Sequence, residues 1–136
     1  RDGILTNLGN TNIAYSPNIV AGNNITLTPI KSLQVSFLTK FVGKQYMGNI
    51  DAKKSVLPDF TTSDLNITYE WKINKGIKSI VFSGLINNFF NRTYESNGYF
   101  YTYDDNWSGP GTTTIEGAGF YPQAGINFLA GMNLKF

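Results

Sequence analysis

Between positions 62 and 73 the chain reads TSDLNITYEWKI, and the side chains alternate almost without fault. Leu65, Ile67, Tyr69, Trp71 and Ile73 fall on one side; Asp64, Asn66, Thr68, Glu70 and Lys72 fall on the other. Successive strand residues point to opposite faces, so a period of two predicts a β-strand with one apolar and one polar face. Four further segments repeat the pattern. Residues 19–28 carry Ile19, Ala21, Ile25 and Leu27, interrupted by Asn23; residues 32–45 set Leu33, Val35, Phe37 and Phe41 against Gln34, Ser36, Lys40 and Lys44. Residues 77–88 align Ile80, Phe82 and Ile86, blurred by Val81 and Leu85. Residues 124–136 set Ala124, Ile126, Phe128, Ala130, Met132, Leu134 and Phe136 against Gly125, Asn127, Gly131, Asn133 and Lys135.

Length is the second constraint. These segments run to roughly 10 to 13 residues, whereas strands of globular proteins average about 5 or 6 and membrane strands need about 9 to 11. The connections alternate too. TPIKS (28–32) and INKG (73–76) are tight turns built on Pro or Gly. Residues 46–60 form a medium loop, about 91–122 a long one, and 1–18 another. Short and long connections in alternation are the pattern of outer-membrane barrels, with brief periplasmic turns and extended extracellular loops. Trp71 and Phe136 lie toward the short-turn ends, and Phe41, Tyr46, Phe89 and Phe90 toward the long-loop ends, as two aromatic girdles would require. The expected fold is therefore all-β, with five antiparallel strands of a transmembrane barrel. A soluble antiparallel sandwich also alternates and is the competing fold, though it calls for shorter strands.

Composition narrows the chemistry. With no Cys and no His, the chain has no disulfides, no thiolate or imidazole metal ligands and no Ser-His or Cys-His catalysis. A net charge of +2 gives no electrostatic footprint for nucleic acid. Aromatics at 15% and fourteen Gly favour β structure. Mean hydropathy is near zero, with no apolar run long enough for a membrane helix, and a barrel wall has the same average. The expectation is a non-enzymatic protein with no cofactor and no resident metal.

Five strands do not close a barrel, whose smallest members have about eight. The chain opens at Arg1 without Met or a signal peptide. Counting back from a periplasmic C-terminus puts Arg1 in an outside loop, so residues 1–136 are expected to be the C-terminal part of one larger barrel domain.

Several stretches then resemble a known family. NTNIAYSPNIVAGNNITLTPIKSLQVSFLTKFVGKQYM, DLNITYEWK, GLINNFFNRTYESNGY and YPQAGINFLAGMNLKF are similar to the C-terminal barrel strands of TonB-dependent outer-membrane receptors, most of all those of Bacteroidetes-type bacteria. NNFFNRTYES resembles the family's Asn-Leu-Phe-Asn-x-x-Tyr motif, with Phe89 in place of the Leu. The ending looks more like the iron-complex and cobalamin class than the glycan-importing class. The resemblance implies a 22-stranded barrel in a Gram-negative outer membrane, filled by an N-terminal plug. It implies import of a scarce, bulky nutrient such as an iron-siderophore, haem or cobalamin-like ligand with TonB-derived energy. The partners it implies are outer-membrane lipid, the protein's own plug, the TonB complex through a segment outside this chain, and the barrel-assembly machinery. It leaves open a surface lipoprotein cap. Phe128, Met132, Leu134 and Phe136 would form the C-terminal assembly signal.

The ligand candidates are Tyr99, Tyr101, Tyr103 and Trp107, amphipathic rings suited to sugars, catechols or macrocycles at an extracellular mouth. The plainer reading is that the three tyrosines continue a strand. Asp104, Asp105 and Asn106 are oxygen donors without the spaced pattern and closing Glu of a calcium loop, which makes them a solvated turn. SGPGTTT lacks the Gly-Lys of a phosphate loop. Four Asn-x-Ser/Thr patterns, at Asn24, Asn66, Asn91 and Asn106, read as chance. Asp64 and Glu70, six residues apart on one strand, are roughly 20 Å apart, too far for a glycosidase pair. With Lys40, Lys44 and Lys72 they are expected to pair across strands or meet a plug. A passive porin and a soluble ligand-binding sandwich remain the alternative functions.

Overall fold

The computed structural model describes residues 7–136 and is all-β. Residues 1–6, part of the expected first loop, lie outside the described residues. The strands among the described residues are β1 (Val20–Ile30), β2 (Leu33–Val42), β3 (Gln45–Tyr46), β4 (Val56–Leu57), β5 (Phe60–Lys75), β6 (Ile77–Asn87), β7 (Glu95–Asp105), β8 (Thr113–Pro122) and β9 (Asn127–Lys135). A single 3₁₀ turn, Lys53–Ser55, precedes β4. The chain divides into two compact units, one built on the long strands and the other on residues 1–19, 43–60 and 94–122.

The first unit is a five-stranded sheet in the order β1-β2-β5-β6-β9. These are the five segments whose alternation marks them as strands. β1 pairs antiparallel with β2, β5 with β6, and β6 with β9. Between β2 and β5, the Glu70 N–H donates to the Ser32 carbonyl at 2.8 Å, and the Thr39 and Ser63 hydroxyls meet at 3.1 Å, as antiparallel neighbours would. The turns are tighter than the sequence suggests, since β1 extends through Pro29 to Ile30 and β5 through Lys75. Gly76 closes the second turn at φ +76°, a conformation that costs a residue with a Cβ.

Register carries the alternation from strand to strand. Tyr69 lies opposite Phe82, which lies opposite Met132; Trp71 and Leu134 flank Ile80; Leu65 and Phe128 flank Ile86. On the other face Thr68, Ser83 and Gly131 align, as do Lys72, Ser79 and Lys135. β1 and β2 continue both faces, with Ile25 opposite Phe37 and Leu27 opposite Val35, against Thr26 opposite Ser36. Leu38, Val81, Leu85 and Leu129 are apolar intrusions on the polar face.

The second unit is a β-hairpin, β7–β8, accompanied by the short β3–β4 ladder. Residues 91–122, a long loop by sequence pattern, are mostly strand, because Tyr, Phe, Thr and Ile recur there at strand spacing. Met47, Leu57 and Ser55 are buried in this unit. The Met47 N–H donates to the Ser55 carbonyl at 2.7 Å, and the Tyr15 hydroxyl to the Gly98 carbonyl at 2.9 Å. A Cβ at Gly98 would collide with the Met47 sulfur, so β7 approaches Met47 closely only because position 98 is glycine.

Candidate functional site

Among the described residues the sheet buries one apolar side chain, Val42. Among described residues the buried apolar side chains are Val42, Met47 and Leu57, and Met47 and Leu57 belong to the hairpin unit. The buried side chains of the long strands are otherwise small and polar: Ser36, Ser63 and Ser79. Ile25, Leu27, Ile67, Tyr69, Trp71, Phe82, Phe128, Met132 and Leu134 are exposed, Phe128 at 76%. A water-soluble sheet buries that face, because each large apolar side chain removed from water gains about 1.5 to 3 kcal/mol. Here that face stays open, as does much of the polar face, including Asn24, Lys40, Asn66 and Leu129. A contiguous apolar surface on this scale marks a partner or a lipid contact.

Phe128, Met132 and Leu134 stand on that face in β9, and Phe136 follows at 76% exposure. Phe37, Phe89 and Phe90 form an edge-on ring cluster, with centroids 5.3 to 6.3 Å apart. On the opposite face Lys135 Nζ lies 3.1 Å from Glu70 Oε1, and the Ser79 hydroxyl donates to the same oxygen at 2.7 Å. Cross-strand pairing was expected of Glu70; its partner Lys135 was not, because the pairing depends on register across β5, β6 and β9.

The NNFFNR stretch has a structural task. Asn88, buried at φ +49°, donates its backbone N–H to Asp64 Oδ1 at 2.9 Å. Its side-chain amide donates to the carbonyls of Arg92 (2.8 Å) and Ala124 (3.1 Å), and its Oδ1 accepts the Arg92 N–H at 2.9 Å. Asn91, at φ +51°, accepts the Ile126 N–H at 2.9 Å. Asn tolerates the left-handed region and offers both donor and acceptor, so two asparagines tie the end of β6 to β5 and to the approach to β9. Asp64 therefore serves as an acceptor within this latch.

Tyr99, Tyr101 and Tyr103 lie on one face of β7, a strand of the two-stranded β7–β8 sheet. Their rings run nearly parallel, Tyr99 to Tyr101 at 6.2 Å and 18°, Tyr101 to Tyr103 at 6.4 Å and 13°. Tyr121, on the partner strand, extends the row at 6.0 Å from Tyr99. Nothing in the local sequence pattern singles out Tyr121, or Gly117 and Gly119, which face Tyr101 and Tyr99 in register. Both rings lie across these glycines, where any Cβ would strike them. The alternating Gly-Ala-Gly opposite an alternating Tyr-x-Tyr is the signal that would have revealed the arrangement. All four tyrosines are about half exposed.

Trp107 stands apart at the hairpin tip, 73% exposed. The tip is closed by Asp105, whose Oδ1 accepts N–H bonds from Trp107 (3.1 Å) and Ser108 (3.2 Å). Hydrogen bonding from the Ser108 side chain, and then from these backbone groups, holds the Asp105 carboxyl below its ordinary value. Asp104 accepts the Thr114 hydroxyl at 2.9 Å. Both acids of the weighed oxygen cluster are thus engaged in the turn.

Comparison with protein-family models, with curated proteins and with solved structures returns no match.

Proposed function

We propose that this chain is a section of the wall of an outer-membrane β-barrel belonging to a TonB-dependent transport receptor. The observation that carries the wall is the single-layer sheet, with five long antiparallel strands, an uncovered apolar face and a polar opposite face. Lipid supplies the missing cover for the first face, and a wet lumen suits Lys40, Asp64, Asn66, Glu70 and Lys135 on the second. β1 and β9 each have one unpaired edge within the sheet. Such an edge in lipid costs several kcal/mol per bare backbone group, so further strands close the barrel on both sides.

The receptor identity rests on the resemblance of the strand and NNFFNR segments. Under it, a plug fills the lumen, TonB supplies energy, the assembly machinery reads Phe128 to Phe136, and a scarce, bulky nutrient is the cargo. A passive channel would share the same wall.

Two measurements on the full-length protein test this. Folded in lipid, it should migrate faster on detergent gels before boiling than after; a protein that is monodisperse without detergent and shows no heat shift would sink the barrel. Uptake should stop when the proton-motive force is collapsed, and uptake that persists would leave a passive channel.

A further inference from the structure

We propose that Asn97–Gly98, near the start of β7, is a self-modifying site: the Gly98 nitrogen closes on the Asn97 side chain, ammonia leaves, and the product releases Tyr15 from the hairpin. The site lies wholly in the hairpin unit, and its chemistry does not depend on the transport reading.

Sequence supplies the first condition. Every other asparagine of the chain is followed by a residue with a side chain; Asn97 alone precedes glycine. No Cβ therefore crowds the nitrogen that must reach the side-chain carbonyl carbon. Structure supplies the second condition. The Gly98 N–H donates to Asn97 Oδ1 at 2.8 Å, which sets the attacking nitrogen beside the amide it attacks. The register slips between Glu95 and Asn97, so the ladder is irregular where the chain has to pivot. Water is the third condition. Asn97 is exposed and lines a cleft of about 650 Å³ with Tyr15, Gln45, Ser96 and Gly98. Nor is the glycine dispensable: a Cβ at position 98 would strike the Met47 sulfur and the Gly119 carbonyl. Packing thus demands the very residue that leaves Asn97 open to attack.

The steps balance with water alone. Solvent base takes the Gly98 amide proton, and the nitrogen bonds to Asn97 Cγ. The bond from Cγ to the side-chain nitrogen breaks, and that nitrogen takes protons from water and leaves as ammonia. A five-membered succinimide remains. Water opens it at the side-chain carbonyl to give aspartate, or at the main-chain carbonyl to give isoaspartate. Isoaspartate adds one carbon to the main chain just before Gly98 and leaves a carboxylate hanging from it.

That extra carbon falls under an anchor. The Tyr15 hydroxyl donates to the Gly98 carbonyl at 2.9 Å, and the Tyr15 N–H to the Tyr46 carbonyl at 2.7 Å. Tyr15 sits at φ +55°, a conformation a bulky residue keeps only while its surroundings hold it. Lengthening β7 moves the Gly98 carbonyl away, so Tyr15 lets go. The conversion is a one-way release.

The test is peptide mass spectrometry of the full-length protein in detergent, kept folded in mildly alkaline buffer made with water enriched in heavy oxygen. Position 97 should lose its amide at least tenfold faster than any other asparagine, at a rate that rises with pH. It should take up heavy oxygen and yield more isoaspartate than aspartate, read with isoaspartyl methyltransferase. Asn97→Gln, whose ring closure would need six members, should slow the conversion at least tenfold. Hydrogen exchange then reads the release. The converted protein should lose protection at the Tyr15 amide, whereas Asn97→Asp, which adds the charge without lengthening the chain, should keep it. The site is overturned if position 97 converts no faster than other exposed asparagines, or if aspartate alone forms, as direct hydrolysis would give. The release is overturned if Tyr15 protection survives conversion, or if Asn97→Asp loses it equally.

Discussion

The long sheet and the β7–β8 hairpin are written in the same period of two, yet they expose different things. The sheet leaves Ile, Leu, Phe and Met uncovered and tucks serines among its strands. The hairpin unit buries Met47 and Leu57 and exposes tyrosines. Alternation says only that a strand has two faces. The chemistry of the exposed side chains differs: aliphatic side chains gain nothing from water, while a phenol is at home where an apolar surface ends and water begins.

The sharpest way to break this contrast is at the latch that ends β6. Asn88→Ala would keep the backbone N–H bond to Asp64 but leave the Arg92 N–H and the carbonyls of Arg92 and Ala124 without their side-chain partner, and put a Cβ-bearing residue without side-chain compensation at φ +49°. A loss of about 3 to 5 kcal/mol is expected in reversible unfolding in lipid, from several unsatisfied groups at roughly 1 to 3 kcal/mol each. Asn88→Gly should recover only the backbone part, about 1 kcal/mol. Equal stability of Asn88→Ala and the unaltered protein would show the latch to be decorative.

Ile67→Arg comes next, at about 2 to 4 kcal/mol if its face meets lipid at mid-depth. Asn66→Arg, one residue away on the polar face, should cost well under half as much. Equal costs would erase the distinction between the faces. In the hairpin, Gly119→Val should displace the Tyr99 ring and cost about 1 to 3 kcal/mol locally, read as faster amide exchange in β7 and β8 with β5 and β6 unchanged. Exchange that quickens in the sheet as well would show that the two units do not respond independently.

The smallest effects are electrostatic. Lys135→Ala removes a half-exposed ion pair and should cost at most about 1 kcal/mol. Asp105 supplies a pH dependence confined to the tip. Its carboxyl is held below its ordinary value when folded, so its stabilisation is complete above the usual Asp pKa of about 3.9 and is lost as pH falls through the lower folded value. Protection of the Trp107 and Ser108 amides, measured relative to their intrinsic exchange rate at each pH, should fall on acidification while Asn88 stays protected. Loosening above pH 5 would assign the tip's pH response to another group.

Much of the sheet was legible because alternation is local. Strands over 20–30, 33–42, 60–75, 77–87 and 127–135 fall within a few residues of the segments marked by period two, and their apolar sides coincide in register. The hairpin was legible as a strand and still passed for a loop, since a tyrosine-rich exposed strand carries no apolar face to announce a core. The site was only half visible. Tyr99, Tyr101 and Tyr103 stand out by themselves, but Tyr121 and the glycines lie some 14 to 22 positions away, and only pairing brings them under the rings.

By itself the sequence determined which residues share a strand face and that the chemistry of Cys and His is absent. It also determined that strands of this length outrun those of ordinary small domains. Tertiary structure decided which side chains meet. It joined Lys135 to Glu70, converted NNFFNR from a motif into a hydrogen-bonded latch, and laid Tyr99 and Tyr101 over Gly119 and Gly117. The reason is physical: a face is fixed by backbone geometry two residues at a time, whereas a contact depends on register between strands that the local pattern leaves free to slide in steps of two.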